Sequence, residues 1–105
     1  PTDVKAYDVL KMATINGAKA LHMGDEIGSL EAGKQADVIA IDLSAIATQP
    51  VFDPISHLVY AADRNQVSHV WVNGEAVVQE RVLTRLNQAD ILANAQEWQR
   101  TIVAA

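Results

Sequence analysis

From Gly28 to Gln35 the chain reads Gly-Ser-Leu-Glu-Ala-Gly-Lys-Gln, and Gly28, Gly33 and Lys34 stand at the spacing of a phosphate-binding loop. Such a loop cradles phosphate with backbone amides, and a Ser or Thr after the Lys ligates magnesium. Here Gln35 follows Lys34 and offers no hydroxyl. The context also fails. A phosphate loop opens a helix whose N-terminal amides hold the anion. After Gln35 comes Ala36–Leu43, ADVIAIDL, a short run rich in Val and Ile that reads as a strand. The expectation is a turn leading into a strand, with Gly28 and Gly33 at two bends and Lys34 pointing to solvent.

The other reactive side chains do not assemble into a site. His22, His57 and His69 are separated by 35 and 12 residues and fall on different elements, whereas metal ligands usually include two close in sequence. Structural or surface roles are expected for all three. Asp25-Glu26 lies in a turn and reads as solvated. Asp37 and Asp42 open and close one strand, on opposite faces by alternation, which is poor geometry for a shared proton. Ser56 and His57 are adjacent, but helical neighbours diverge by about 100° and do not form a dyad. No Gly-x-Ser-x-Gly elbow is present. Trp71 and Trp98 are not interleaved with Lys or Arg and read as core anchors, not base-stacking platforms. No catalytic, cofactor-binding or metal-ligating residue is therefore assigned.

The composition narrows the class. Eight basic and thirteen acidic residues, scattered, give a net charge of −5, which argues against nucleic acid or an anionic membrane as partner. Cysteine is absent, so there is no disulfide frame. The apolar runs are too short to span a bilayer, and a cytoplasmic chain is expected. The chain opens on Pro1 and runs straight into a helix cap, so a piece of a longer protein is expected.

The elements that would position these residues make a mixed α/β chain. Thr2 caps a helix over about 3–14, with Asp3 in its first turn and Val4, Tyr7, Leu10 and Ala13 at three-residue spacing. Asn16 caps a second short helix, Gly17–His22, closed by Gly24 as a left-handed C-cap. Val38, Ile39 and Ile41 form a strand apolar on both faces, hence inside a sheet. Residues 44–53 read as a loop. Asp53-Pro54 starts a helix over about 54–62, with Ile55, Leu58, Val59 and Ala62 inward. Asn73-Gly74 predicts a type I′ hairpin over about 67–79, with Ser68, Val70 and Val72 on one face, His69 and Trp71 on the other, and an extended piece at 82–84. Asn87 caps the last helix, with Asp90 as capping-box partner and Ile91, Ala95, Trp98 and Ile102 as one apolar stripe. Glu97 and Arg100 can pair on it at i, i+3.

Four blocks carry a resemblance that covers nearly the whole chain: MATINGAKAL (Met12–Leu21), IGSLEAGKQADVIAIDL (Ile27–Leu43), DPISHLVYAA (Asp53–Ala62) and VSHVWVNGEAVV (Val67–Val78). They resemble the C-terminal part of metal-dependent amidohydrolases, and most of all the 5-methylthioadenosine/S-adenosylhomocysteine deaminase and chlorohydrolase subgroup. Relatives often have Asn-Pro where this chain has Asn16-Gly17. The resemblance implies a TIM barrel with a β-sandwich beside it. Residues 1–24 would be the last barrel-associated helices. Residues 25–86 would be the C-terminal share of the sandwich, and 87–105 a helix packing back on the barrel.

The same resemblance implies a parent that hydrolyses carbon–nitrogen bonds, a deaminase of adenosine-like compounds using one divalent metal, zinc being typical. The family's ligands are a His-x-His pair, two further histidines and an aspartate. No position here matches them, so the piece itself is expected to be structural and catalytically silent. Its partners would be the barrel and sandwich segments from the N-terminal side. Without them, exposed sheet edge and apolar helix faces predict self-association. The other readings are a free-standing binding or accessory module and, least favoured, a nucleotide-binding domain on Gly28–Lys34.

Overall fold

A computed structural model describes residues 4–105. Helices α1 (Ala6–Ala13) and α2 (Ile15–Ala20) meet at Thr14, whose hydroxyl donates to the Leu10 carbonyl at 2.7 Å. α1 starts later than expected; the proposed cap Thr2 and first-turn Asp3 lie outside the described residues. Asn16 does not cap α2 but sits in its first turn, and Thr14 holds the N-cap position without a side-chain bond. The end of α2 also differs. His22, not Gly24, takes the left-handed conformation (φ 59°). Met23 N–H bonds to Ala18 O at 2.8 Å and His22 N–H to Lys19 O at 3.0 Å. Those paired bonds satisfy the last carbonyls of the helix and hold a non-glycine residue at the cap.

Strands β1 (Val38–Ile41), β2 (Val67–Val72), β3 (Glu75–Gln79) and β4 (Val82–Leu83) form one antiparallel sheet in that order. Asn73 (φ 50°) and Gly74 (φ 79°) make the tight turn between β2 and β3, as their tolerance of positive φ requires. His69 and Trp71 share a face, as alternation predicts, and their rings stack 5.4 Å apart. β1 is not inside the described sheet: it is an edge strand, and Ile39 is 54% exposed. Its apolar pattern marks a surface that is unpaired among the described residues.

Helix α3 (Pro54–Tyr60) lies against α1. Its cap is the one expected: the Asp53 carboxylate accepts from Ile55 N–H at 3.1 Å, with Pro54 opening the first turn. It stops at Tyr60, so Ala62 falls beyond it. Before α3 comes a 3-10 turn at Ile46–Thr48, and before β2 another at Arg64–Gln66. Asp63 and Gln66 close a full capping box on the second.

The buried centre is small and partly polar. Ala18 is the one buried hydrophobic residue among those described. Thr48, at 1% exposure, donates to the Leu43 carbonyl, and Gln66 Nε2 reaches Thr48 Oγ1 and Asp42 O, both at 3.1 Å. These bonds let polar groups sit inside without penalty. The apolar bulk is elsewhere. Helix α4 (Gln88–Ala104) is exposed at every residue, Trp98 included at 68%, so Trp98 is not a core anchor of the described residues. Asn87 caps it through Asp90 N–H at 3.1 Å. The radius of gyration is 17.8 Å, against about 13 Å for a compact chain of this length. Half the residues are hydrophobic, yet few are covered. The described residues thus leave apolar surface open on α4 and β1.

Candidate functional site

The segment that resembled a phosphate loop has another use. Lys34 does not point to solvent. Its side chain is 11% exposed, and Nζ donates to Gly24 O at 2.6 Å and Ser29 Oγ at 2.7 Å while pairing with Glu31 Oε2 at 2.9 Å. Ser29 Oγ in turn donates to Glu31 Oε2 at 2.7 Å. An ammonium has three donors and no acceptor, so all its capacity is spent inside the loop. The Ser29 hydroxyl, and then Lys34, hold the Glu31 carboxyl below the usual glutamate range. No helix follows, since β1 begins at Val38. Phosphate would have to displace bonds already made.

The rest of the segment presses on its neighbours. Gln35 N–H bonds to Glu26 O at 2.8 Å and closes a compact loop. Gly28 has φ +94°, and a Cβ there would meet Ala18 Cβ at 2.7 Å and Ile15 Cα at 2.9 Å. Gly33 has φ +92° with nothing within 4 Å, so only its backbone demands glycine. On the far side Gly74 N–H bonds to Ala36 O at 3.0 Å, and Asp37 Oδ1 accepts from Asn73 N–H at 2.7 Å. The segment therefore touches α2 at one end and the β2–β3 turn at the other. What it can do is fix their relative position.

The histidines stay apart. His22 caps α2, and His57 Nδ1 lies 3.0 Å from Asp53 O. His69 Nδ1 lies 2.9 Å from Ser68 Oγ, and its Nε2 lies 3.5 Å from Glu80. The carboxylates are used locally. Asp42 accepts from Ser44 N–H at 2.9 Å and lies 3.6 Å from Arg81; the Ser44 hydroxyl, and then its N–H, lower its pKa. Asp53 is lowered too, chiefly by the Ser56 hydroxyl. Asp25 and Glu26 are exposed. Ser56 Oγ donates to Asp53, not to His57. Among the described residues no three of His, Cys, Asp and Glu converge where a metal ion could be held, so they do not fit a zinc centre.

The profile of the amidohydrolase family matches residues 1–77. The chain belongs to the amidohydrolase family. It is 50% identical over 101 residues to a 5-methylthioadenosine/S-adenosylhomocysteine deaminase of Teredinibacter turnerae, covering 96% of this chain and 23% of that one. The fold superposes with TM-score 0.91 on a zinc-bound adenosine deaminase from Xanthomonas campestris, 44% identical, over 96% of this chain and 23% of the other. It superposes with TM-score 0.80 on a zinc-bound atrazine chlorohydrolase from Arthrobacter aurescens, 30% identical, over 89% and 20%. This amidohydrolase chain thus spans about a quarter of the length of the relatives it matches. No membrane-spanning helix, long and apolar enough, occurs among the described residues.

Two features were missed at the level of sequence. The burial of Lys34 was readable only from Ser29 and Glu31 at i−5 and i−3. The capping box at Asp63 and Gln66 follows the familiar spacing and could have been read directly.

Proposed function

We propose that this chain is the C-terminal portion of a metal-dependent deaminase of adenosine-like compounds, and that it supplies scaffold and no reacting group. The observation that carries this is the 50% identity to a 5-methylthioadenosine/S-adenosylhomocysteine deaminase along 96% of the chain. Zinc is the metal of this reading, because similar structures were solved with it. Bound zinc lowers the pKa of its water and so supplies a nucleophile at neutral pH. Its ligands lie outside the described residues, and no step is assigned to the residues here.

The division goes with this reading: helices up to 24 on the barrel side, a sandwich share over 25–86, and a closing helix over 87–105. The rest of the protein would cover the α4 stripe and the β1 edge; without it the chain would self-associate through them. A cytoplasmic location fits a chain with no cysteine.

The test is ammonia release by the intact protein that carries this chain. Adenosine, 5-methylthioadenosine and S-adenosylhomocysteine are offered, with and without a zinc chelator. Release that stops on chelation supports the reading. Chloride release from a chlorotriazine, with no ammonia from any nucleoside, would overturn the substrate class.

A further inference from the structure

We propose that Lys34 is a positioning residue: its ammonium locks Gly28–Asp37 into a rigid joint that holds α1–α2 at one angle to the sheet. The proposal does not depend on the deaminase reading. The path is continuous. Gly28 fits against Thr14, Ile15 and Ala18 with no room for a side chain. Lys34 ties the α2 exit, at Gly24 O, to the approach to β1. Ala36 and Asp37 then bond to the amides of Gly74 and Asn73, in the turn between β2 and β3. Remove the ammonium and the two outer attachments remain, but the loop between them loses its internal brace.

The chemistry asks for lysine in particular. Three acceptors surround one nitrogen: a carbonyl, a hydroxyl and a carboxylate. A compact ammonium meets all three, whereas arginine's flat fork spreads its donors in a plane. Charge alone is therefore insufficient, and Lys34→Arg separates a positioning role from a charge role. Ser29 belongs to the same device. It accepts from Lys34 and donates its own hydroxyl hydrogen bond to Glu31, which orients the carboxylate.

This chain has no cysteine of its own, and any in the rest of the intact protein are replaced before labelling. Spin labels go on N16C in α2 and Q79C in β3, both exposed, in the intact protein. Their distance distribution is measured, with amide exchange alongside. We expect one narrow distance for the native joint and a broadened one for both K34M and K34R. Exchange over 24–37 rises about ten- to a hundredfold in K34M, while the β2–β3 hairpin is unchanged. S29A, which removes one bond of the three, gives a smaller change and stands in if K34M fails to fold. An unbroadened distance in K34M or S29A overturns the proposal. So does full rescue by K34R, or faster exchange spread equally over the hairpin, which would mark a general stability role.

Discussion

Gly28 and Gly33 share nearly the same φ, +94° and +92°, but not the same surroundings. That makes them a matched pair. Gly33→Ala meets no neighbour and should cost only the backbone strain of a side chain at positive φ, about 1–2 kcal/mol. Gly28→Ala carries that strain and more. Its Cβ would fall 2.7 Å from Ala18 Cβ, 2.9 Å from Ile15 Cα and 3.1 Å from Thr14 O. Two of these are backbone atoms, which cannot swing aside as a side chain does. Overpacking of this kind costs about 1–3 kcal/mol, so the total is about 2–5 kcal/mol. The assay is urea unfolding of the 105-residue chain, at one fixed protein concentration for both variants, followed by Trp71 fluorescence in a W98F background. With an m-value of about 2 kcal/mol/M, the G28A midpoint should fall about 1 M below that of G33A. Equal midpoints would refute the close contact between the loop and α2, and with it the joint.

Other outcomes follow from the same structure. Glu80 and Arg81 both have positive φ, at 51° and 64°, in the turn between β3 and β4. Glu80→Gly should stabilise by up to about 1 kcal/mol in thermal unfolding, since Glu80 is exposed and its 3.5 Å contact with His69 is weak. Arg81→Gly should gain less or lose, because Arg81 Nε donates to Asn65 O at 2.9 Å. The lowered pKa values of Glu31, Asp42 and Asp53 set an acid limit. Their stabilisation is fully present above the unfolded carboxylate range, about pH 4, and is lost as pH falls through the folded values. Tm measured from pH 6 down to 2 should decline in that window, and less steeply in D53N.

Local signals were legible in the sequence and non-local ones were not. Asp53-Pro54 and Asn73-Gly74 each fix a helix start or a turn from two adjacent residues, and both stand where expected. The end of α2 failed because Gly24 is the better left-handed residue by type, while the carbonyls of Ala18 and Lys19 select His22 by position. β1 and α4 show the limit of apolar patterns. Ile39, Trp98 and Ile102 read as covered from the pattern, yet all three are exposed among the described residues; an apolar pattern carries no information on which residues would cover it. Lys34 was misread because lysine is a solvent residue by default, and its acceptors come together only when the loop closes.

Under the proposed function this chain is a scaffold, and residues elsewhere in the intact protein would hold the metal. Zinc content by mass spectrometry, on the purified 105-residue chain and on the intact protein side by side, tests this most directly. One zinc per intact protein and none on the 105-residue chain is the predicted result. Stoichiometric zinc on the 105-residue chain, lost when its histidines are replaced, would contradict it.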